Sequence, residues 1–157
     1  IDANGEKTEY FDYYKQIFKQ VKAISKYLVN AKITGVINSG EYDNDLPSKE
    51  EMQKMQWGDC VYQGKLPECG NIEVSPGKPL LKVESQNQTL TGVMQTLGLA
   101  AYFAVNNSSV KANRVTYYFD GVCDFEIIQN ATVTQVSGDK ITLDLSAGDN
   151  ALIIRRK

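Results

Sequence analysis

The first thirty residues carry the apolar repeat of one long amphipathic helix. From Tyr10 onward, apolar side chains recur at steps of four, three, four, three and four residues, which places them on one helix face. We call this set the apolar stripe: Tyr10, Tyr14, Ile17, Val21, Ile24 and Leu28. Thr8 is placed to cap a helix that runs over about residues 9–30. Phe11 and Phe18 widen the stripe, so we expect it to pack on the rest of the chain or on a neighbouring surface.

After Lys32 the pattern changes to short apolar or alternating segments that are separated by turn residues. Val115, Tyr117 and Phe119 occupy every second position, which is the repeat of a strand with two different faces. The predicted strands are Ile33–Ile37, Cys60–Gln63, Ile72–Ser75, Leu80–Glu84, Leu90–Gln95, Leu99–Val105, Val115–Phe119, Phe125–Ile128, Ala131–Val136, Lys140–Leu145 and Ala151–Arg155. Residues 137–140, Ser-Gly-Asp-Lys, predict a hairpin turn between two of these strands.

This succession predicts a mainly β fold. The expected architecture is an antiparallel β-sandwich of Greek-key-like type, preceded by one long N-terminal α-helix. Strands do not alternate with helices, which disfavours doubly wound α/β folds. Residues 1–38 are predicted to hold the helix and a connecting strand, and residues 39–157 to form the sandwich.

Composition and charge narrow the class of protein. The chain has 157 residues, 42% hydrophobic and 23% charged, which is typical of one globular domain. Its formal net charge is −2 and no basic stripe interleaves with aromatic residues, so we expect no nucleic-acid partner. No apolar run reaches the ~20 residues of a membrane span, so we expect none.

Histidine is absent, which excludes histidine general bases and histidine metal ligands. The three cysteines lack a fourth zinc ligand, and we expect no metal and no other cofactor. Cys60 and Cys69 are candidates for a disulfide, which would contribute roughly 2.5–3 kcal/mol and indicate an exported protein. The alternative is three reduced thiols, with Cys123 a small buried apolar residue.

Two groups of carboxylates are candidates for chemistry. Asp120, Asp124 and Glu126 are close in sequence and are considered as general acids and bases, against the alternative that the aspartates cap turns. The segment 41–45, Glu-Tyr-Asp-Asn-Asp, alternates oxygen ligands as a calcium loop does, but it lacks the spacing of an EF-hand. We interpret this segment as a solvated acidic loop.

Aromatic residues in the middle of the chain are candidates for carbohydrate binding. Trp57 lies between Tyr42 and Tyr62 in sequence, and these three rings are candidates for a stacking platform for a sugar. The alternative is that Trp57 packs at the junction of the helix and the sandwich.

Three stretches together resemble one known kind of domain. Residues 101–107, AYFAVNN, are similar to a strand that ends in asparagine; residues 115–119, VTYYF, are similar to the strand after it; and residues 143–154, LDLSAGDNALII, are similar to a closing hairpin. This is the pattern of the C-terminal all-β domain that follows the catalytic barrel in many glycoside hydrolases. The N-terminal helix resembles the last helix of such a (β/α)₈ barrel.

The resemblance implies a non-catalytic accessory domain of a larger, secreted bacterial glycoside hydrolase. The chain itself would not be an enzyme, because the catalytic carboxylates of that family belong to barrel strands that this chain lacks. Its partner would be a covalently attached upstream catalytic barrel, and its location extracellular, periplasmic or at the cell surface. Residues 41–77 depart from the generic domain.

Two other functions stay open. The chain is alternatively a carbohydrate-binding module with a polysaccharide as its partner, or a cell-surface interaction or adhesion domain. The helix distinguishes these readings: complete packing of the apolar stripe on the sandwich favours a free-standing module, and an exposed stripe favours a packing surface outside this chain.

Overall fold

The computed structural model describes residues 5–8, 10–29, 31–41, 56–57, 60–61 and 80–156. One helix precedes nine strands in this part of the chain: α1 (Phe11–Leu28), β1 (Lys32–Ser39), β2 (Gln56–Trp57), β3 (Cys60–Val61), β4 (Leu80–Ser85), β5 (Thr89–Thr96), β6 (Leu99–Asn106), β7 (Asn113–Gln129), β8 (Thr132–Leu145) and β9 (Asn150–Arg155). The predicted fold class is confirmed, because the protein is mainly β and antiparallel, with the helix at its N-terminal end.

Seven of the strands form one antiparallel sheet. Its order is β1-β5-β6-β9-β7-β4, and β8 pairs along one edge of β7. The other edge of β7 is shared, because β4 pairs with residues 115–119 and β9 pairs with residues 125–129. The sheet therefore folds over on itself along β7, and the two halves enclose a core. The strands β2 and β3 form a separate two-stranded ribbon.

At the bend that folds the sheet, the structure differs from two predictions of the sequence. The strands β7 and β8 are each continuous where the sequence predicts a break. Their pairing is interrupted by a bulge between Tyr118 and Cys123, and Gly121, within the bulge, has a φ of 85°. Gly138, opposite Cys123, lies inside β8, so the hairpin predicted at residues 137–140 is wrong. Its glycine marks a bend in a long strand, not a chain reversal.

The two faces of the central strands belong to two different hydrophobic clusters. The inner faces meet in a core that includes Tyr102, Tyr117, Phe125 and Ile153. The outer face of the same strands is covered by α1, whose contacts with them include Leu152. Because both faces are covered, residues 151–154 of β9 are all buried.

The sheet is almost closed where β1 approaches β4. The hydroxyl groups of Ser39 and Ser85 lie 2.9 Å apart, and the backbone N–H of Glu41 donates to the carbonyl of Gln86 at 3.3 Å. Gly40 lies at this junction with a φ of 82°, and a Cβ atom there would lie 2.2 Å from the carbonyl oxygen of Asn87. Glycine is therefore required at residue 40.

The start of the helix differs from the prediction. The helix begins at Phe11, and Tyr10 occupies the N-cap position without a side-chain hydrogen bond, so the predicted Thr8 cap is wrong. Thr8 contributes only its backbone carbonyl, which accepts the N–H of Phe11 at 3.0 Å. The domain boundary predicted near residue 38 stays a prediction; β1, on its N-terminal side, pairs with β5 in the main sheet.

We expect Gly40→Ala to lower the free energy of unfolding more than Gly98→Ala does. Both glycines have positive φ, but a Cβ at Gly98 meets nothing within 4 Å. Gly98→Ala therefore tests backbone strain alone, about 1–2 kcal/mol. Gly40→Ala adds a collision with the backbone of Asn87, a further loss of about 1–3 kcal/mol. Urea unfolding of both variants checks this, and equal losses would contradict the close approach of β1 to the β4–β5 turn.

Candidate functional site

The predicted aromatic platform falls mostly outside the described residues. Trp57 lies in β2, paired with Cys60 of β3, while Tyr42 and Tyr62 are outside the described part of the chain. The carbohydrate-binding role of these three rings therefore stays a prediction. Cys69 also lies outside, so the Cys60–Cys69 disulfide is likewise untested.

The structure describes Cys123 and only the first residue of the predicted acidic loop, Glu41. Asp43 and Asp45 of the acidic loop are outside the described residues. Cys123 is a free, buried thiol, as expected for a small apolar residue.

The three clustered carboxylates have different surroundings. Asp120 and Asp124 are exposed, and Asp124 accepts a hydrogen bond from the hydroxyl of Ser137. Glu126 is buried and contacts the helix. Among the described residues, no three acidic or cysteine side chains are grouped as a metal site requires.

Glu126 forms the contact that fixes α1 to the sheet. The hydroxyl of Tyr27 donates to Glu126 Oε1 at 2.9 Å, and Arg156 Nη2 forms an ion pair with Glu126 Oε2. Arg156 Nη2 also lies 2.9 Å from the hydroxyl of Tyr27. The hydroxyl of Thr96 donates to the backbone carbonyl of Tyr27 at 2.5 Å. We call Tyr27, Glu126 and Arg156 the helix anchor.

The helix anchor sets the pKa of its carboxyl group. Burial raises the pKa of Glu126, but the hydrogen bonds from Arg156 and Tyr27 lower it by more, so the pKa lies below its ordinary value. The ionised form of Glu126 is therefore the one that the folded protein stabilises. Tyr27 is 2% exposed, so the ring itself also adds apolar burial at this point.

Anchoring by Tyr27 leaves most of the predicted apolar stripe exposed. Of its six residues only Ile24 is buried; Tyr10 and Tyr14, for example, are 59% and 56% exposed. Tyr27, which is not part of the stripe, is instead the most buried side chain of the helix. The helix thus contacts the sheet and its turns from Gln20 to Leu28. The other four stripe residues are exposed in the described part of the chain: Tyr10, Tyr14, Ile17 and Val21.

A surface of aromatic and basic residues lies on the side of α1 away from the sheet. Phe11, Tyr14 and Phe18 succeed one another at helical spacing, and we call them the aromatic strip. They line a concave surface of ≈ 720 Å³ together with Thr8, Lys15, Lys19 and Lys22. The described residues that line this surface all belong to α1 or to the segment before it.

A second concave surface lies between the helix and the turns of the sheet. It has a volume of ≈ 470 Å³, and we call it the helix–turn cleft. Tyr13, Ile17 and Gln20 of α1 form one wall; Phe103 of β6, Asn130 and the turn 146–150 complete it.

Gln20 joins the two sides of the helix–turn cleft. Its Nε2 donates to Asn150 Oδ1 at 3.0 Å, and its Oε1 accepts the backbone N–H of Ala131. One helix side chain therefore holds the β7–β8 turn and the start of β9 at the same time.

Sequence reasoning missed both the helix anchor and the cleft. In the sequence, Glu126 is a candidate only for catalysis, and Tyr27 lies beside the apolar stripe without matching its repeat. The only sequence signal was an ionisable residue inside an otherwise apolar strand, Phe125–Ile128, which requires a buried partner.

Comparison with protein-family models, with curated proteins and with solved structures finds no match for this chain. In the part of the chain that the structure describes, no helix combines the length and the apolar character needed to cross a membrane.

We expect Glu126→Gln to remove part of the acid sensitivity of folding. The folded pKa of Glu126 is below the unfolded one, so its stabilisation is complete above the ordinary value of 4.5 and is lost as the pH falls through the folded pKa. Tyr27→Phe should lower the free energy of unfolding by about 1–2 kcal/mol near neutral pH. Urea unfolding at about pH 7 and about pH 3 measures both effects.

The control for this pair is Asp120→Asn, which changes an exposed carboxylate on the same strand. The free energy of unfolding should change less between the two pH values in Glu126→Gln than in the unmodified chain. An equal change in both would contradict the role of the helix anchor.

Proposed function

We propose that this chain is a non-catalytic β domain that holds another folded protein surface through the aromatic strip. The observation that carries the proposal is the exposure of two large aromatic side chains on the side of α1 away from the sheet. Tyr14 is 56% and Phe18 70% exposed, while the same helix is fixed by the helix anchor on its other side. Adjacent exposed aromatic side chains of this size are typical of interaction surfaces.

The chemistry of the strip favours a protein partner that carries carboxylates. Tyrosine and phenylalanine are enriched in the cores of protein interfaces, where they supply large contact areas. Lys15, Lys19 and Lys22 border the aromatic rings, and they complement acidic side chains at the rim of a partner. Asp12, on the first turn, interrupts the basic side of the helix, which weakens attraction to an anionic lipid surface.

The sequence resemblance names a more specific partner. According to this resemblance, the partner is the upstream catalytic barrel of a secreted glycoside hydrolase. The aromatic strip would contact this barrel, and the domain would stabilise it within one polypeptide. The exposed apolar stripe supports this proposal, because a helix that packs on a barrel outside this chain would be exposed in this way. A cell-surface interaction domain would use the same strip on a separate protein. The role in a glycoside hydrolase and the location outside the cell remain proposals.

The double substitution Tyr14→Ser with Phe18→Ser tests the strip. In the 157-residue chain the free energy of unfolding should change by no more than about 0.5 kcal/mol, because both side chains are exposed. In the complete polypeptide that the gene encodes, the loss should reach about 2 kcal/mol or more, because interface aromatics dominate contact energy. Thermal and urea unfolding of both polypeptides measure the difference.

Val110→Ser is the control, because Val110 is exposed and lies outside the helix. Equal effects of the double substitution in both polypeptides would contradict a covalently attached partner. Concentration-dependent sedimentation of the 157-residue chain that the double substitution abolishes would identify a second copy as the occupant. Binding of the chain to anionic vesicles through the strip would identify a lipid surface, and either result would overturn the proposal.

A further inference from the structure

We propose that the helix–turn cleft is a binding site for a small neutral saccharide. It uses residues other than Trp57, Tyr42 and Tyr62, and it lies on the other side of α1 from the aromatic strip. The inference therefore stands independently of the proposed docking function.

The cleft offers an apolar wall that suits the C–H face of a sugar ring. Tyr13 is 64% exposed, and its ring borders the cleft together with Ile17 and Val21. Phe103 lies on the outer face of β6, where it packs at the edge of the cluster beneath the helix. Aromatic rings and aliphatic side chains that line a cavity favour a ligand with an apolar face of its own.

Amides and a hydroxyl group also line the cleft. Gln16 extends from α1, Asn130 from the β7–β8 turn, and Ser146 from the turn before β9. The side-chain amides of Gln16 and Asn130 make no hydrogen bond to another described residue. An amide both donates and accepts, as does each hydroxyl group of a sugar, so the two kinds of group match in pairs.

The charges around the cleft exclude the main charged ligands. Among the described residues that line it, Asp149 is the one ionisable side chain besides Tyr13. Both of its carboxylate oxygens are engaged: Oδ1 accepts the N–H of Asn150 at 2.8 Å, and Oδ2 accepts from Gln129 Nε2 at 2.9 Å. None of the lysine and arginine residues that the structure describes lines the cleft to hold a phosphate or a carboxylate. A neutral ligand is therefore favoured.

The polar side of the cleft is already held in place without a ligand. Gln20 links Asn150 to the backbone of Ala131, as described above. The β8–β9 turn is tied to the β6–β7 loop, because the N–H of Gly148 donates to the carbonyl of Ser108 at 2.8 Å and Asn106 Nδ2 donates to the carbonyl of Ser146 at 2.8 Å. A preformed polar wall reduces the ordering that binding requires.

The floor of the cleft favours a sugar over a peptide. The strand β6 is paired with β5 on one edge and with β9 on the other, and β9 is paired with β7 in turn. No free strand edge therefore faces the cleft, and a peptide cannot add to the sheet there as an extra strand. Recognition must come from side chains, and those present combine an aromatic ring with amides.

Saturation-transfer NMR and calorimetry on the 157-residue chain test the proposal. The probes are D-glucose, D-galactose, D-mannose and D-xylose, together with cellobiose, maltose and lactose. We expect at least one probe to receive saturation on its ring C–H protons and to bind with a measurable Kd. Tyr13→Ala should weaken that binding at least tenfold, and Asn130→Gly, which keeps the positive φ of the turn, should weaken it severalfold.

Tyr10→Ala is the matched control, because Tyr10 is an exposed tyrosine of the same helical segment that does not line the cleft. It should leave the Kd unchanged, and the unfolding temperature of each variant shows that the fold is retained. Absence of binding by every probe overturns the proposal. Binding that neither Tyr13→Ala nor Asn130→Gly weakens also overturns it. The same holds if an uncharged peptide library receives saturation at this cleft and no sugar does.

Discussion

The hydrogen bonds between Tyr27, Glu126 and Arg156 determine how the helix lies on the sheet. They join Tyr27, near the end of α1, to Glu126 and Arg156, which follow it in the chain by 99 and 129 positions. Because a buried carboxylate requires its partners, this contact fixes both the position of the helix end and the face that it turns to the sheet. The apolar cluster around Ile24 and Leu152 then completes the contact.

Two surfaces lie along α1, one on each side of it. On the side away from the sheet, Tyr14 and Phe18 are exposed, and the half-buried Phe11 and several lysines lie beside them. On the side that faces the sheet, Gln20 hydrogen-bonds the turns, and the helix–turn cleft lies between the helix and those turns. A helix that packed along its whole length on the sheet would fill the helix–turn cleft, so the proposed saccharide site depends on how the helix is held. The aromatic strip is uncovered for a different reason, because it lies on the opposite side of the helix.

Local patterns in the sequence were sufficient to predict the type and rough position of most described elements. The alternation at Val115, Tyr117 and Phe119 predicts a half-buried strand, and the repeat from Tyr10 predicts the helix. The same patterns could not show that Gly121 and Gly138 bend continuous strands, because a bend and a turn use the same residue types. They could not show which helix face is buried either, because the pairing of Tyr27 with Glu126 is a tertiary contact.

The central proposal is that another folded protein surface covers the aromatic strip in the complete gene product. Hydroxyl-radical footprinting measures this directly, by the oxidation rates of Tyr14 and Phe18 in the 157-residue chain and in the complete gene product. The account predicts that both rates fall severalfold in the complete product, while the rate at Leu97, an exposed residue of the β5–β6 turn, stays the same. Unchanged rates at Tyr14 and Phe18 would contradict it.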